Sequence, residues 1–133
     1  MFAALTLRDE PTPDLLVVVR LGVHTLQDEH LTRSAAECHD RWGFWGFSVL
    51  EVPHGDFVEL ARVRPIVAAR RRLHVARGAD LLAAGFPLLP TMEAPHWTVA
   101  LASPTSEVFA AARAQFDGPV DNPAWVGTGP PVR

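Results

Sequence analysis

Apolar and polar positions change period several times along the chain, and each change predicts an element. Leu15 to Val19 is a continuous apolar run closed by Arg20. A short run of this kind predicts a strand covered on both faces, central in its sheet. Leu31, Ala35, Cys38 and Trp42 then recur at helical spacing and predict one helix over 26–41. Thr25 and Asp28 have the spacing of an N-terminal capping box for it. Ser34 and Glu37 repeat that spacing, which leaves open a break near Thr32. Over 44–52 the period becomes two, placing Trp45, Phe47 and Val49 on one face and Phe44, Gly46 and Ser48 on the other. The rings around Gly43 and Gly46 suit a packed core. They also suit a small pocket in which Gly46 leaves room for a ligand.

Downstream, Pro53 to Asp56 predicts a turn, and 57–64 is ambiguous until Pro65 interrupts it. Ile66, Ala69, Leu73 and Ala76 predict a helix over 66–76, with a strand around 72–76 as the alternative. A short helix over 80–84 ends at Gly85, and 86–89 forms a short buried strand. Pro90 to Pro95 connects to a strand over 96–102. Ser103-Pro104 starts a helix with Val108, Phe109, Ala112 and Phe116 inward, and Asp117-Gly118-Pro119 stops it. Upstream, Met1 to Leu7 reads as an edge strand or arm, and Pro11 and Pro13 mark a connection. The sum is an α+β domain with a small mixed or antiparallel sheet of four or five strands packed with about three helices. Residues 1–118 form one globular unit, and 119–133 form a Pro/Gly-rich tail that Trp125 can pin onto the domain or a partner.

Composition narrows this picture. With 48% hydrophobic and 20% charged residues the chain is globular rather than disordered. No stretch approaches the roughly 20 apolar residues of a membrane span, and 1–7 makes a poor signal peptide, so a cytoplasmic location is expected. Cys38 is the only cysteine, which excludes an internal disulfide and a cysteine-rich zinc site and points to a buried thiol. None of the six histidines forms an H-E-x-x-H pair, and no metal or cofactor is assigned. A nucleophile elbow, a Walker A loop and a G-x-G-x-x-G turn are all missing.

Charge adds a stronger feature. The net charge is −3, yet Arg62, Arg64, Arg70, Arg71, Arg72 and Arg77 lie in a stretch holding no Asp or Glu. Guanidinium forks suit carboxylates and phosphates, so this stretch predicts binding of an acidic protein or nucleic acid. A solvated face is the plainer reading. A homo-oligomeric building block is the third, with Trp125 in the contact.

The remaining chemistry centres on His96-Trp97-Thr98. On a strand, His96 and Thr98 share a face, where an imidazole can move a proton while a hydroxyl holds an oxyanion. A structural hydrogen bond at the strand edge explains the same residues. The H-x-T pattern resembles one motif of the two-histidine phosphoesterases, whose second motif corresponds here to His30-Leu31-Thr32. That resemblance implies phosphate-ester chemistry at paired His and Thr residues. Separately, Arg20-Leu-Gly-Val-His24 with Ser48 resembles the dinucleotide pocket of ADP-ribosyltransferases, which implies Arg20 and His24 as dinucleotide contacts and Glu93 or Glu107 as the acid. A small His-dependent enzyme built on His96, Thr98 and His24, with Arg20 and Arg72 on phosphate, is therefore the alternative to an interaction domain.

Overall fold

Six strands lie in the order β4-β5-β2-β1-β3-β6, and every neighbouring pair is antiparallel. The computed structural model describes Leu7, Pro13 and residues 16–126. The strands are β1 (Val17–Leu21), β2 (Trp45–Glu51), β3 (Arg72–Arg77), β4 (Leu88–Leu89), β5 (His96–Leu101) and β6 (Asp117–Asp121). The helices are α1 (Asp28–Trp42), α2 (Phe57–Val63), α3 (Gly78–Ala83) and α4 (Ser106–Arg113), with 3-10 turns at Pro53–Gly55 and Pro65–Ala69. This is the α+β architecture that the periodicity predicts, with one strand and one helix more. No helix among the described residues is long and apolar enough to cross a membrane. The edge strand or arm read in Met1 to Leu7 falls outside the described residues, except for Leu7.

The apolar run of β1 has its cause in two cores. Val18 joins Phe47, Val49, Trp97 and Val99 against Leu31 and Ala35 of α1, Leu81 of α3, and Phe109 and Ala112 of α4. Val19, on the opposite face, joins Leu73 and Val52 against Leu60 of α2 and Val67. Covering a strand on both faces removes the alternation that a half-exposed strand shows. Between β2 and β5 the main-core residues pair in register, with Phe47 opposite Val99 and Val49 opposite Trp97.

Four local expectations are corrected. The helix expected over 66–76 is a 3-10 turn followed by β3, the alternative reading. Ladder pairing with β1 holds Leu73 and Val75 toward the second core, against the helical spacing that Leu73 and Ala76 also satisfy. Thr25 does not cap α1. Its hydroxyl donates to the Leu21 carbonyl at 2.7 Å, and Gln27 takes the cap position without a side-chain bond. The helix expected at Ser103-Pro104 begins at Ser106, where the Thr105 hydroxyl accepts from the Val108 amide. α1 runs unbroken through Thr32 and ends at Gly43, whose φ of 84° is the left-handed C-cap conformation. Beyond α4, the residues read as the start of a tail form β6, which pairs with β3.

Gly46 illustrates the packing density. A Cβ there would lie 2.7 Å from both the Thr98 methyl and the Val99 carbonyl, and 3.3 Å from the Cys38 sulfur. The space beside Gly46 is thus filled by β5 and α1. Gly46→Ala is expected to lower unfolding stability by about 2 kcal/mol, because backbone rather than a side-chain tip must move. Urea denaturation checks this, and an unchanged midpoint would contradict the packing account.

Candidate functional site

His96 and Thr98 do come together, with Thr91 between them. Thr91 Oγ1 shares hydrogen bonds with His96 Nδ1 at 2.9 Å and Thr98 Oγ1 at 2.7 Å. His96 Nδ1 also lies 3.2 Å from the Thr91 carbonyl oxygen. Thr91 and Thr98 are almost wholly buried, at 0% and 1% exposure. The network ties the connection before β5 onto β5 itself. His96 and Thr98 line a cleft of about 140 Å³ that also takes in Glu37, Cys38, Gly46 and Ser48. Burial pushes the Cys38 thiol up to about 11, so it stays protonated near neutral pH and is a poor nucleophile. The second H-x-T does not enter this cleft. His30 and Thr32 lie on α1, and His30 Nε2 is 3.9 Å from Glu29. His24 is also outside the cleft lining, and its Nδ1 lies 3.0 Å from the Gln27 side-chain Nε2.

Arg20 and Ser48, paired from sequence, meet directly. The Arg20 guanidinium donates to the Ser48 carbonyl at 2.8 Å and the Ser48 hydroxyl at 3.3 Å. It also donates to Ser34 Oγ at 2.9 Å and the Thr25 carbonyl at 3.3 Å, with its carbon 5.4 Å from the Phe47 ring centroid. Loss of hydration lowers its pKa to about 10, partly offset by the Glu37 charge, so it remains a cation at neutral pH. Its groove, about 290 Å³, is walled by Val19, Leu21, Thr25, Ser48, Val49 and Leu50. Neither Glu93 nor Glu107 lines this groove or the cleft.

The six arginines divide by their surroundings. Arg62 pairs with Glu59 at 3.0 Å and Arg72 with Asp121 at 3.0 Å. Arg64 is partly buried at the turn before Pro65, and Arg77 is exposed at the far end of β3. Arg70 and Arg71 are exposed where β3 begins, and the Arg71 guanidinium lies 5.5 Å from the Trp125 ring centroid. Asn122 builds this corner. Its side-chain amide donates to the Val67 and Arg70 carbonyls, both at 2.8 Å, and its Oδ1 accepts from the Ala124 amide at 2.9 Å. Backbone bonds from Asn122 to Arg71 and from Val126 to Ala68 complete the attachment. Trp125 and Val126 stay 41% and 83% exposed on it, and Ile66, in the 3-10 turn to which Val126 bonds, is 50% exposed. Sequence reading did not single out Asn122 or Thr91. Asn122-Pro123 is a turn signal, but the carbonyls that Asn122 reaches lie more than 50 residues away.

Among the described residues, no three His, Cys, Asp or Glu side chains converge as metal ligands do. No family model, curated protein or solved structure matches this chain.

Proposed function

We propose that this domain is an interaction module whose corner at Arg70, Arg71, Trp125 and Val126 docks an acidic protein segment carrying apolar side chains. The observation that carries the proposal is Arg71 lying over a half-exposed Trp125, on a segment that Asn122 fixes to the start of β3. Exposed Trp and Arg side chains on a fixed backbone have the composition of interface anchors, and their ordering cost is already met. Ile66 and Val126 extend the apolar part, while Arg70 supplies a second cation. Interleaved apolar groups favour an acidic protein over a phosphate backbone. So does the internal pairing of Arg62 and Arg72, which leaves fewer cations to neutralise a polyanion. The bonding of His96 and Thr98 into the framework supports a packing role for them. The reading places the domain in the cytoplasm, in keeping with its single buried thiol.

Fluorescence anisotropy tests this with three labelled probes of equal net charge: a peptide alternating Glu with Leu, polyglutamate, and single-stranded DNA. The Glu-Leu peptide is expected to bind most tightly, weaken moderately with salt, and lose at least about tenfold in affinity to an Arg70→Ala/Arg71→Ala/Trp125→Ala variant. Tighter binding of DNA with a steep salt slope would replace the protein partner with nucleic acid. Concentration-dependent dimerisation abolished by the same variant would replace it with a second copy of the chain.

A further inference from the structure

The centre of the sheet is split, and the split has the features of a ligand site. Val17 accepts from the Val52 amide, and Val19 faces Leu50, so odd-numbered residues of β1 turn their backbone groups toward β2. The even-numbered side turns toward β3, as the bond from the Gly22 amide to the Arg72 carbonyl shows. The next rung of the β1–β2 ladder therefore belongs to Leu21 and Ser48. It does not form, because pairing ends at Val19 and Leu50. The Arg20 side chain takes the Ser48 carbonyl, and the Thr25 hydroxyl takes the Leu21 carbonyl. Both acceptors are satisfied, while the Leu21 and Ser48 amides face the split without a ladder partner. Two amides, a guanidinium and the exposed Ser48 hydroxyl thus border one groove.

The charge balance has the same direction. Every hydrogen-bond acceptor of Arg20 is a neutral oxygen. Among the described residues, no carboxylate lies within ion-pair distance of it. Glu37 acts on this partly buried cation only from beyond ion-pair distance, so Arg20 has lost hydration without gaining a counter-charge in contact with it. The rest of the groove is apolar, with the partly buried Leu21 and Leu50 giving its accessible wall and Val19 and Val49 almost wholly buried.

We infer that the split between β1 and β2 binds a small molecule bearing one carboxylate on an apolar body, with Arg20, Ser48 and the Leu21 and Ser48 amides around the carboxylate. A monoanion matches the single guanidinium charge and is repelled by Glu37 less than a dianion is. A phosphate dianion exceeds it and meets the field of Glu37, which lines the adjoining cleft. Arg20 keeps its bond to Ser48, whose hydroxyl hydrogen turns to the ligand.

Amide-resolved NMR titration of the full chain tests this with three probes: hexanoate, hexanol and inorganic phosphate. Hexanoate is expected to shift the Leu21 and Ser48 amides and the Arg20 Nε–H resonance to saturation, with hexanol and phosphate far weaker. Ser48→Ala, at an exposed side chain, is expected to weaken hexanoate by about tenfold. Arg20→Gln is expected to abolish the effect, and if that variant does not fold, Ser48→Ala carries the test. The inference is overturned if these resonances do not move, if hexanol matches hexanoate, if phosphate binds more tightly, or if Ser48→Ala binds as well as the parent.

Discussion

Trp97→Ala is expected to lower unfolding stability by about 3–5 kcal/mol, the largest loss from any single side chain discussed here. Trp97 is 0% exposed and sits opposite Val49 in the β2–β5 ladder. It packs in the main core with Val18, Phe47 and Phe109. Truncation removes a large apolar surface and leaves a cavity whose rigid walls relax only partly. It also removes the indole N–H that donates to Glu51 Oε1 at 2.9 Å. A typical domain of this size has about 5–15 kcal/mol in total, so the variant loses a large share of its margin. Trp97→Phe separates the two causes, since it fills most of the volume but lacks the donor. Urea midpoints for both variants, at constant slope, check the prediction. A loss below about 1 kcal/mol for Trp97→Ala would mean that the core is not packed as described.

Arg20→Ala is the second large effect, at about 3 kcal/mol. The side chain joins three separate segments: the turn at Thr25, helix α1 at Ser34 and strand β2 at Ser48. Removing it leaves the Thr25 and Ser48 carbonyls without that donor, at about 1–3 kcal/mol for an acceptor that water does not reach. Water enters at Ser48, which is exposed, so the loss falls mainly on Thr25 and Ser34. The contact over the Phe47 ring adds to the loss. Hydrogen exchange gives a second readout, because opening should concentrate at the β1 end, Thr25 and the middle of α1. Uniform loss of protection, or none, would contradict a local clamp.

Much of this architecture is legible in the chain because the relevant signals are local. The alternation of β2, the strand signal at His96 and the apolar stripe of α1 each depend on neighbours in sequence. β3 is misleading because Ile66, Ala69, Leu73 and Ala76 fit a helix, while Leu73 and Val75 fit a strand. Only pairing with β1 decides between them. β6 has no hydropathic signal: all five of its residues are exposed, and Asp-Gly-Pro reads as a stop. It forms because the edge of β3 offers backbone partners. The candidate sites follow the same division. Arg20 with Ser48 and His96 with Thr98 can be nominated by spacing on strands. The roles of Ser34 and Asn122 arise from contacts between segments distant in sequence, while Thr91 reaches His96 and Thr98 across a short connection whose path the sequence pattern does not specify. The arginine-rich stretch looks continuous in sequence, but Glu59 and Asp121 pair with two of its members, and the corner is built by residues 122–126.

The most direct test of the central claim is an amide NMR map of the Glu-Leu peptide on the full chain at moderate salt. The account predicts shifts concentrated at Ile66, Arg70, Arg71, Trp125 and Val126, including the Trp125 indole N–H, with little change around His96. Shifts spread evenly over Arg62, Arg64, Arg72 and Arg77, and equally strong with polyglutamate, would contradict it and reduce the corner to unspecific charge.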